Sequence, residues 1–282
     1  MNKRIVLVLA VFAMLLIGCD FEYYFTTSST TQSTSSITTT KPDSDVVPEH
    51  ASKGLEYFFV EDENCYYVSG IGECTDTNIV LPEKYKGYAV KGIRGEAFSA
   101  LTYITGIDIP DTVEVIGPAA FVGCEITEIV IPDSVTTIYD GAFAYCTKLK
   151  NVILGENVTY IGESAFFNSG IEKITIPKSM TTIGTAAFYA CPELTEVVFL
   201  GEVEIIEAMA FSICPKLETI SLTSSIQRIG SKAFAFCEGL KAIKFEGTME
   251  QWENIPKSED WNVMLSGNTI TIYCLDGNLP KQ

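Results

Sequence analysis

The sequence predicts a repeat solenoid, mainly β with short turns and 3-10 or helical segments, of about seven 22-23-residue coils between an N-terminal and a C-terminal cap. Three observations carry that prediction. Ala-Phe pairs end at Phe98, Phe121, Phe143, Phe166, Phe188, Phe211 and Phe234, at steps of 23, 22, 23, 22, 23 and 23 residues. Five residues before each phenylalanine stands an isoleucine, at Ile93, Ile116, Ile138, Ile161, Ile183, Ile206 and Ile229. Each coil also carries an apolar pattern of the form L-x-x-I-x-I, as in Ile126-x-x-Ile129-x-Ile131 and Ile171-x-x-Ile174-x-Ile176. Its last two apolar residues are two apart, so they share one face of a short strand while the residue between them points away. One such strand cannot bury its face alone. Stacked about 4.8 Å apart, the strands form a parallel ladder and the columns merge into one core.

The chain divides in order. Residues 1-18 read as an export signal: Lys3 and Arg4 precede an apolar run from Ile5 to Ile17, too short for a membrane span of roughly 20 residues. The run ends in Leu16-Ile17-Gly18-Cys19, which resembles the lipobox of bacterial lipoproteins. That resemblance implies lipidation of Cys19 and an anchor on the outer face of the cell membrane, the two acyl chains contributing about 0.8 kcal/mol per buried CH₂. Residues 19-53 are expected to be a disordered stalk, because Thr26 to Thr40 is Ser or Thr at every position except Gln32 and Ile37 and has almost nothing to bury. An N-terminal cap over 54-93, the solenoid over 94-245 and a C-terminal cap over 246-282 complete the chain.

Within the solenoid a proline often ends the strand, as at Pro132 and Pro177, and the glycine after the column isoleucine is expected to permit the turn into the Ala-Phe arm. Three residues after the phenylalanine comes Cys124, Cys146, Cys191, Cys214 or Cys237, with Ser169 in the same column. A column forms a line, whereas a zinc cage needs four ligands converging on a point, so these thiols are read as small apolar packing groups that also satisfy turn backbone. Cys65 and Cys74 differ. Nine residues apart, with Gly70 and Gly72 between them in an expected hairpin, they are the pair a disulfide could join in the N-terminal cap.

Charge excludes further classes. With 19 Lys+Arg against 36 Asp+Glu the chain carries a formal −17, the wrong sign for binding nucleic acid through its phosphates. His50, the single histidine, lies in a polar approach segment, which removes Ser/His/Asp and Cys/His mechanisms. No D-x-D-x-D-G calcium loop occurs. Neither a catalytic residue, a cofactor nor a metal is therefore expected. Trp252 and Trp261 are read as packing groups of the closing cap ahead of ligand-stacking aromatics.

The repeat resembles the leucine-rich repeats of BspA-like bacterial surface proteins, whose pattern L-x-x-I-x-I-P-x-S-V-x-x-I-G-x-x-A-F-x-x-C the copy from Ile126 to Cys146 follows nearly letter for letter. Leu154-Gly155 and Phe199-Leu200 depart from it by lacking the proline. Gly70 to Thr77 with Ile79-Val80-Leu81-Pro82, and Trp252, Trp261 and Tyr273 to Gly277, are similar to the family's opening and closing modules. The resemblance implies a leucine-rich repeat solenoid and a cell-surface adhesion role toward host or neighbouring-cell components.

The strand pattern says where such a role would sit. Outward residues between the two inward ones run Asp108, Val130, Ile153, Thr175, Val198, Ser221 and Lys244; the neighbouring outward column runs Gly106, Glu128, Asn151, Lys173, Glu196, Thr219 and Ala242. Glu128, Val130, Asn151, Ile153, Lys173, Thr175, Glu196, Val198, Thr219 and Ser221 thus form an expected binding strip, aliphatic at its centre and charged at its flanks. Exposed aliphatics ringed by polar groups suit an extracellular protein or peptide partner. The alternatives are a structural envelope spacer without a ligand and an envelope enzyme with a site in a cap.

Overall fold

The computed structural model describes residues 49–264 and 269–279; the expected signal segment, Cys19 and the stalk up to residue 48 lie outside them. Each coil contributes two strands. The L-x-x-I-x-I segments form β3 (Asn78–Val80), β6 (Gly106–Asp108), β8 (Glu128–Val130), β10 (Asn151–Ile153), β12 (Lys173–Ile176), β14 (Glu196–Phe199), β16 (Thr219–Leu222) and β18 (Ala242–Phe245), parallel along the stack. The column isoleucines end β5 (Tyr88–Ile93), β7 (Val115–Ile116), β9 (Thr137–Ile138), β11 (Tyr160–Ile161), β13 (Thr182–Ile183), β15 (Ile205–Ile206) and β17 (Arg228–Ile229), a second parallel ladder paired in two runs, β5 to β11 and β13 to β17.

Between the ladders lies the core. All seven column phenylalanines are fully buried. Their rings stack nearly parallel from Phe98 to Phe234, with centroids 5.2 to 5.6 Å apart. The last ring meets the edge of Trp261, which closes the stack, and Trp252 packs between Phe245 and Trp261. Both tryptophans are packing groups, as the sequence suggested, at 1% and 6% exposure.

The Ala-Phe arm is held by a backbone ladder of its own. Alternate N–H groups donate to the following coil: Ala119 to Asp140 O, Phe121 to Ala142 O and Gly123 to Ala144 O, at 2.8 to 2.9 Å. The same trio recurs in the coils of Phe98, Phe143, Phe166, Phe188 and Phe211, while Phe234 and Phe236 donate to Trp261 O and Val263 O of the closing cap. This register needs a left-handed residue two before and two after each phenylalanine. Glu96 and Ala100, Ala186 and Ala190, Met209 and Ile213, and Lys232 and Phe236 all have φ between 51° and 59°. Glycine fills that role only at Gly123 and Gly141. Non-glycine residues there cost on the order of 1 kcal/mol each, offset by the inter-coil hydrogen bonds they aim.

The glycine after the column isoleucine has another role than the one expected. Gly117 and Gly230 are not left-handed, so turn geometry does not require them. A Cβ at Gly117 would lie 2.6 Å from Gly95 N and one at Gly230 2.5 Å from Ala208 N. They are glycines because the preceding coil passes too close for a side chain.

The caps continue both ladders. In the N-terminal cap β1 (Glu56–Val60) and β2 (Cys65–Gly70) form an antiparallel hairpin, β2 runs parallel to β5, and the short β4 (Lys84–Tyr85) pairs with β5. The free edge of β3 is closed by Ser52, whose N–H donates to Val80 O while its Oγ accepts from Val80 N. Both edge-facing backbone groups of Val80 are thereby satisfied, which blunts the edge against pairing with another chain. At the other end α1 (Met249–Asn254) starts in a capping box built by Thr248 and Gln251. Beyond it β19 (Thr271–Cys274) adds to β18 and β20 (Gly277–Leu279) folds back on β19.

A disulfide between Cys65 and Cys74 is not formed, and both are buried free thiols. The hairpin turn falls before Cys65, which pairs with Val60 at one end of β2, while Cys74 lies beyond Gly70 at the other end. Cys65 and Gly70 are the two ends of a six-residue strand, roughly 17 Å of extended chain, and Cys74 lies past the far end. The spacing is right for a hairpin, but the turn is not between them.

Candidate functional site

The strand ladder turns one row of side chains inward and the next outward. Ile107, Ile129, Val152, Ile174, Val197, Ile220 and Ile243 are buried, while their neighbours are exposed over most of the stack. Of the ten residues expected on the binding strip, nine are exposed and Thr219 is half-buried. Strand pairing sets them in rows. Asn151 lies beside Glu128 and Ile153 beside Val130; Lys173 lies beside Glu196 and Thr175 beside Val198. Val130 and Ile153 are 58% and 61% exposed and Val198 37%, so an aliphatic column stands open to solvent on regular sheet.

The face is not uniform along its length. A shallow groove of about 870 Å³ runs over its N-terminal half from Asn78 to Leu200 and takes in Glu128, Val130, Asn151, Ile153 and Thr175. A second depression, about 410 Å³, holds Glu196, Val198, Thr219 and Ser221. Lys173 sits between the two and is bound to Glu196 at 2.7 Å, which also raises its pKa. Similar rungs tie Lys150 to Glu172 at 3.0 Å and Lys241 to Glu218 at 3.6 Å. Such exposed pairs contribute little to stability, and their effect here is to neutralise the charge on that part of the face.

Sequence reasoning missed the far rim of the first groove. Asp111, Asp133 and Glu156 line it from the turns just after the strands, together with Pro132, Pro177 and Leu200. Asp133 accepts the Glu156 N–H at 2.7 Å, which aligns the turns of successive coils. The available signal was position alone: an acidic residue directly after the strand-ending Pro or Gly, in three coils running.

The cysteine column does structural chemistry. Sγ of Cys124, Cys146, Cys191, Cys214 and Cys237 each donates to the carbonyl of the phenylalanine one coil back, at 2.9 to 3.3 Å. Ser169, in the same column, lies 3.4 Å from the Cys191 sulfur. Burial pushes the Cys124 thiol up to about 12 and the Cys191 thiol up to about 11, so these groups stay protonated at neutral pH. Among the described residues no group of three or more His, Cys, Asp or Glu side chains could hold a metal ion, and no helix is long and apolar enough to cross a membrane.

The family model for the BspA type leucine rich repeat region matches residues 72–195 and 164–256, in six copies. The chain belongs to that family. Its fold is shared with solved leucine-rich repeat proteins. One from T. pallidum is 26% identical, with a TM-score of 0.62 over 69% of this chain and 90% of that one. Another, from Bacteroides ovatus ATCC 8483, is 22% identical, with a TM-score of 0.58 over 80% of this chain and 79% of that one. No curated protein matches the chain. In BspA type terms the first strand face begins at β3 and the last matched residues lie at the end of α1, so the family's repeat reaches into both caps.

Proposed function

We propose that this BspA type chain is a cell-surface binding protein that recognises a protein or peptide through the outward face of its stacked strands. One observation carries the reading: Val130, Ile153 and Val198 stand exposed in one column of a regular sheet that none of the described residues of either cap covers. Isolated exposed aliphatics are ordinary on any surface, but a column of them ringed by polar side chains is the composition of a recognition patch. The reading makes the chain a binding module rather than an enzyme, in keeping with a face built from repeats and not around one enclosed pocket.

The same proposal puts the solenoid on the outside of a bacterial cell, held by lipid on Cys19 and lifted by the Ser/Thr stalk. Metabolic labelling with a palmitate analogue tests the anchor: label on the full chain that is lost in Cys19→Ser supports it, and equal label in both rejects it. Solid-phase binding to immobilised host matrix proteins and to neighbouring bacterial cells tests the face. Saturable binding by the parent that the triple variant Ile153→Ser, Thr175→Lys, Val198→Ser loses is the expected result. Binding retained by the triple variant would move the site elsewhere.

A further inference from the structure

The N-terminal half of the strand face carries more than an aliphatic column. Among the described residues five carboxylates line its groove, Asp108, Asp111, Glu128, Asp133 and Glu156, and no lysine or arginine does. None of the five has an ion-pair partner among the described residues, whereas Glu172, Glu196 and Glu218 farther along the face are each met by a lysine of an adjacent coil. The acidic rim ends at Lys178, which takes the place of Glu156 in the following coil. The molecule therefore neutralises one half of its face and leaves the other half charged.

How the charge is spread selects the ligand. The five carboxylates do not converge, since no metal-holding group of three occurs among the described residues. They flank the apolar column on both sides: Asp111, Asp133 and Glu156 beyond the strand ends, Glu128 on the other flank, and Asp108 in line with Val130. A small cation would bridge at most two of them. A chain with repeated positive charges could reach them all, and the floor of Val130, Ile153 and Leu200, the last 52% exposed, asks for apolar side chains between those charges.

We infer that this groove docks an extended cationic peptide segment, lysine- or arginine-rich with interspersed apolar residues. The inference rests on the strand-face reading and adds the partner's chemistry to it. The groove crosses six strands from β3 to β14, roughly 24 Å, which about seven extended residues span.

The test uses the full chain and three fluorescent probes: a Lys-Leu alternating octapeptide, its Glu-Leu counterpart and a glucosamine oligomer of matching charge. Titrations are followed by anisotropy at low and physiological salt. Two variants each remove three charges. Asp111→Asn, Asp133→Asn, Glu156→Gln lies on the rim, and the amide that replaces the Asp133 carboxylate keeps a carbonyl for the backbone N–H of residue 156. Glu61→Gln, Asp62→Asn, Glu259→Gln lies elsewhere on the surface and controls for the overall −17. The Lys-Leu peptide should bind, more weakly as salt rises, and the rim variant should lose about tenfold in affinity while the control variant loses far less. Equal loss in the two variants would overturn the inference, because net charge alone would then explain binding. Equal binding of the Glu-Leu peptide, lost in Ile153→Ser, would also overturn it while leaving the strand face as a binding site. Preferential binding of the glucosamine oligomer would overturn it in favour of a cationic glycan.

Discussion

The two sides of one strand obey different rules. Inside, the residue at the centre of each L-x-x-I-x-I segment is Ile or Val in all seven coils from Ile107 to Ile243, and it packs beside a phenylalanine stack whose spacing changes by only 0.4 Å from end to end. Outside, one residue away, the column runs through Asp, Val, Ile, Thr, Val, Ser and Lys. Burial enforces the first sameness, because a coil that differs in volume cannot stack on its neighbours. Nothing in the stacking restrains the second, so whatever selects those residues acts through solvent or a partner. Architecture and recognition are separable here at the level of adjacent residues.

The largest expected break in that comparison is in the stack. Phe143 lies between Phe121 and Phe166 with centroids at 5.2 and 5.3 Å, so Phe143→Ala should cost about 3–5 kcal/mol and leave a cavity in mid-solenoid. Because each coil touches only its neighbours, chemical denaturation of this variant should also lose two-state character as the halves uncouple. A single sharp transition with an unchanged midpoint would show that the stack is not what joins the coils.

A smaller effect separates the thiol column from the stack by pH. Burial holds the Cys191 thiol near 11, against 9.0 for a free thiol. The neutral form is the one the fold favours, so this contribution is fully present below the unfolded value and is lost as pH rises from about 9 to about 11. Cys191→Ser, which copies the Ser169 coil, removes that loss. The stability difference between parent and variant should move in the variant's favour by about 2 kcal/mol across the window. A pH-independent difference would mean that Cys191 ionises as readily folded as unfolded.

The smallest expected effect concerns the backbone. Lys232 is exposed and left-handed at φ 54°, where glycine carries no steric cost. Lys232→Gly should raise stability by about 0.5–1 kcal/mol in denaturant unfolding. A loss of stability would show that the lysine stem packs on the coil more than its exposure suggests.

What the sequence made legible follows the same division. The coils, the inward columns, the outward strip and the packing role of the cysteines were all readable, because burial repeats every 22 or 23 residues and a period of two separates the faces of a strand. The left-handed pairs were not, since Ala186, Met209 and Lys232 carry no compositional sign of positive φ. The column glycine was readable as necessary but assigned to a turn, when inter-coil contact demands it. Cys65 and Cys74 were misread because spacing alone does not locate the turn of a hairpin. The rim carboxylates Asp111, Asp133 and Glu156 lie just past the strands, where periodicity ends and the side a turn faces is set by the fold as a whole.

Separability is tested most directly by the urea unfolding midpoint of Ile153→Ser, Thr175→Lys, Val198→Ser, measured beside the parent and Phe143→Ala. All three substituted residues are exposed, so the triple variant should keep the parent's transition slope and stay within about 1 kcal/mol of its stability. A fall approaching that of Phe143→Ala would contradict the account, because the outward face would then be part of what holds the coils together.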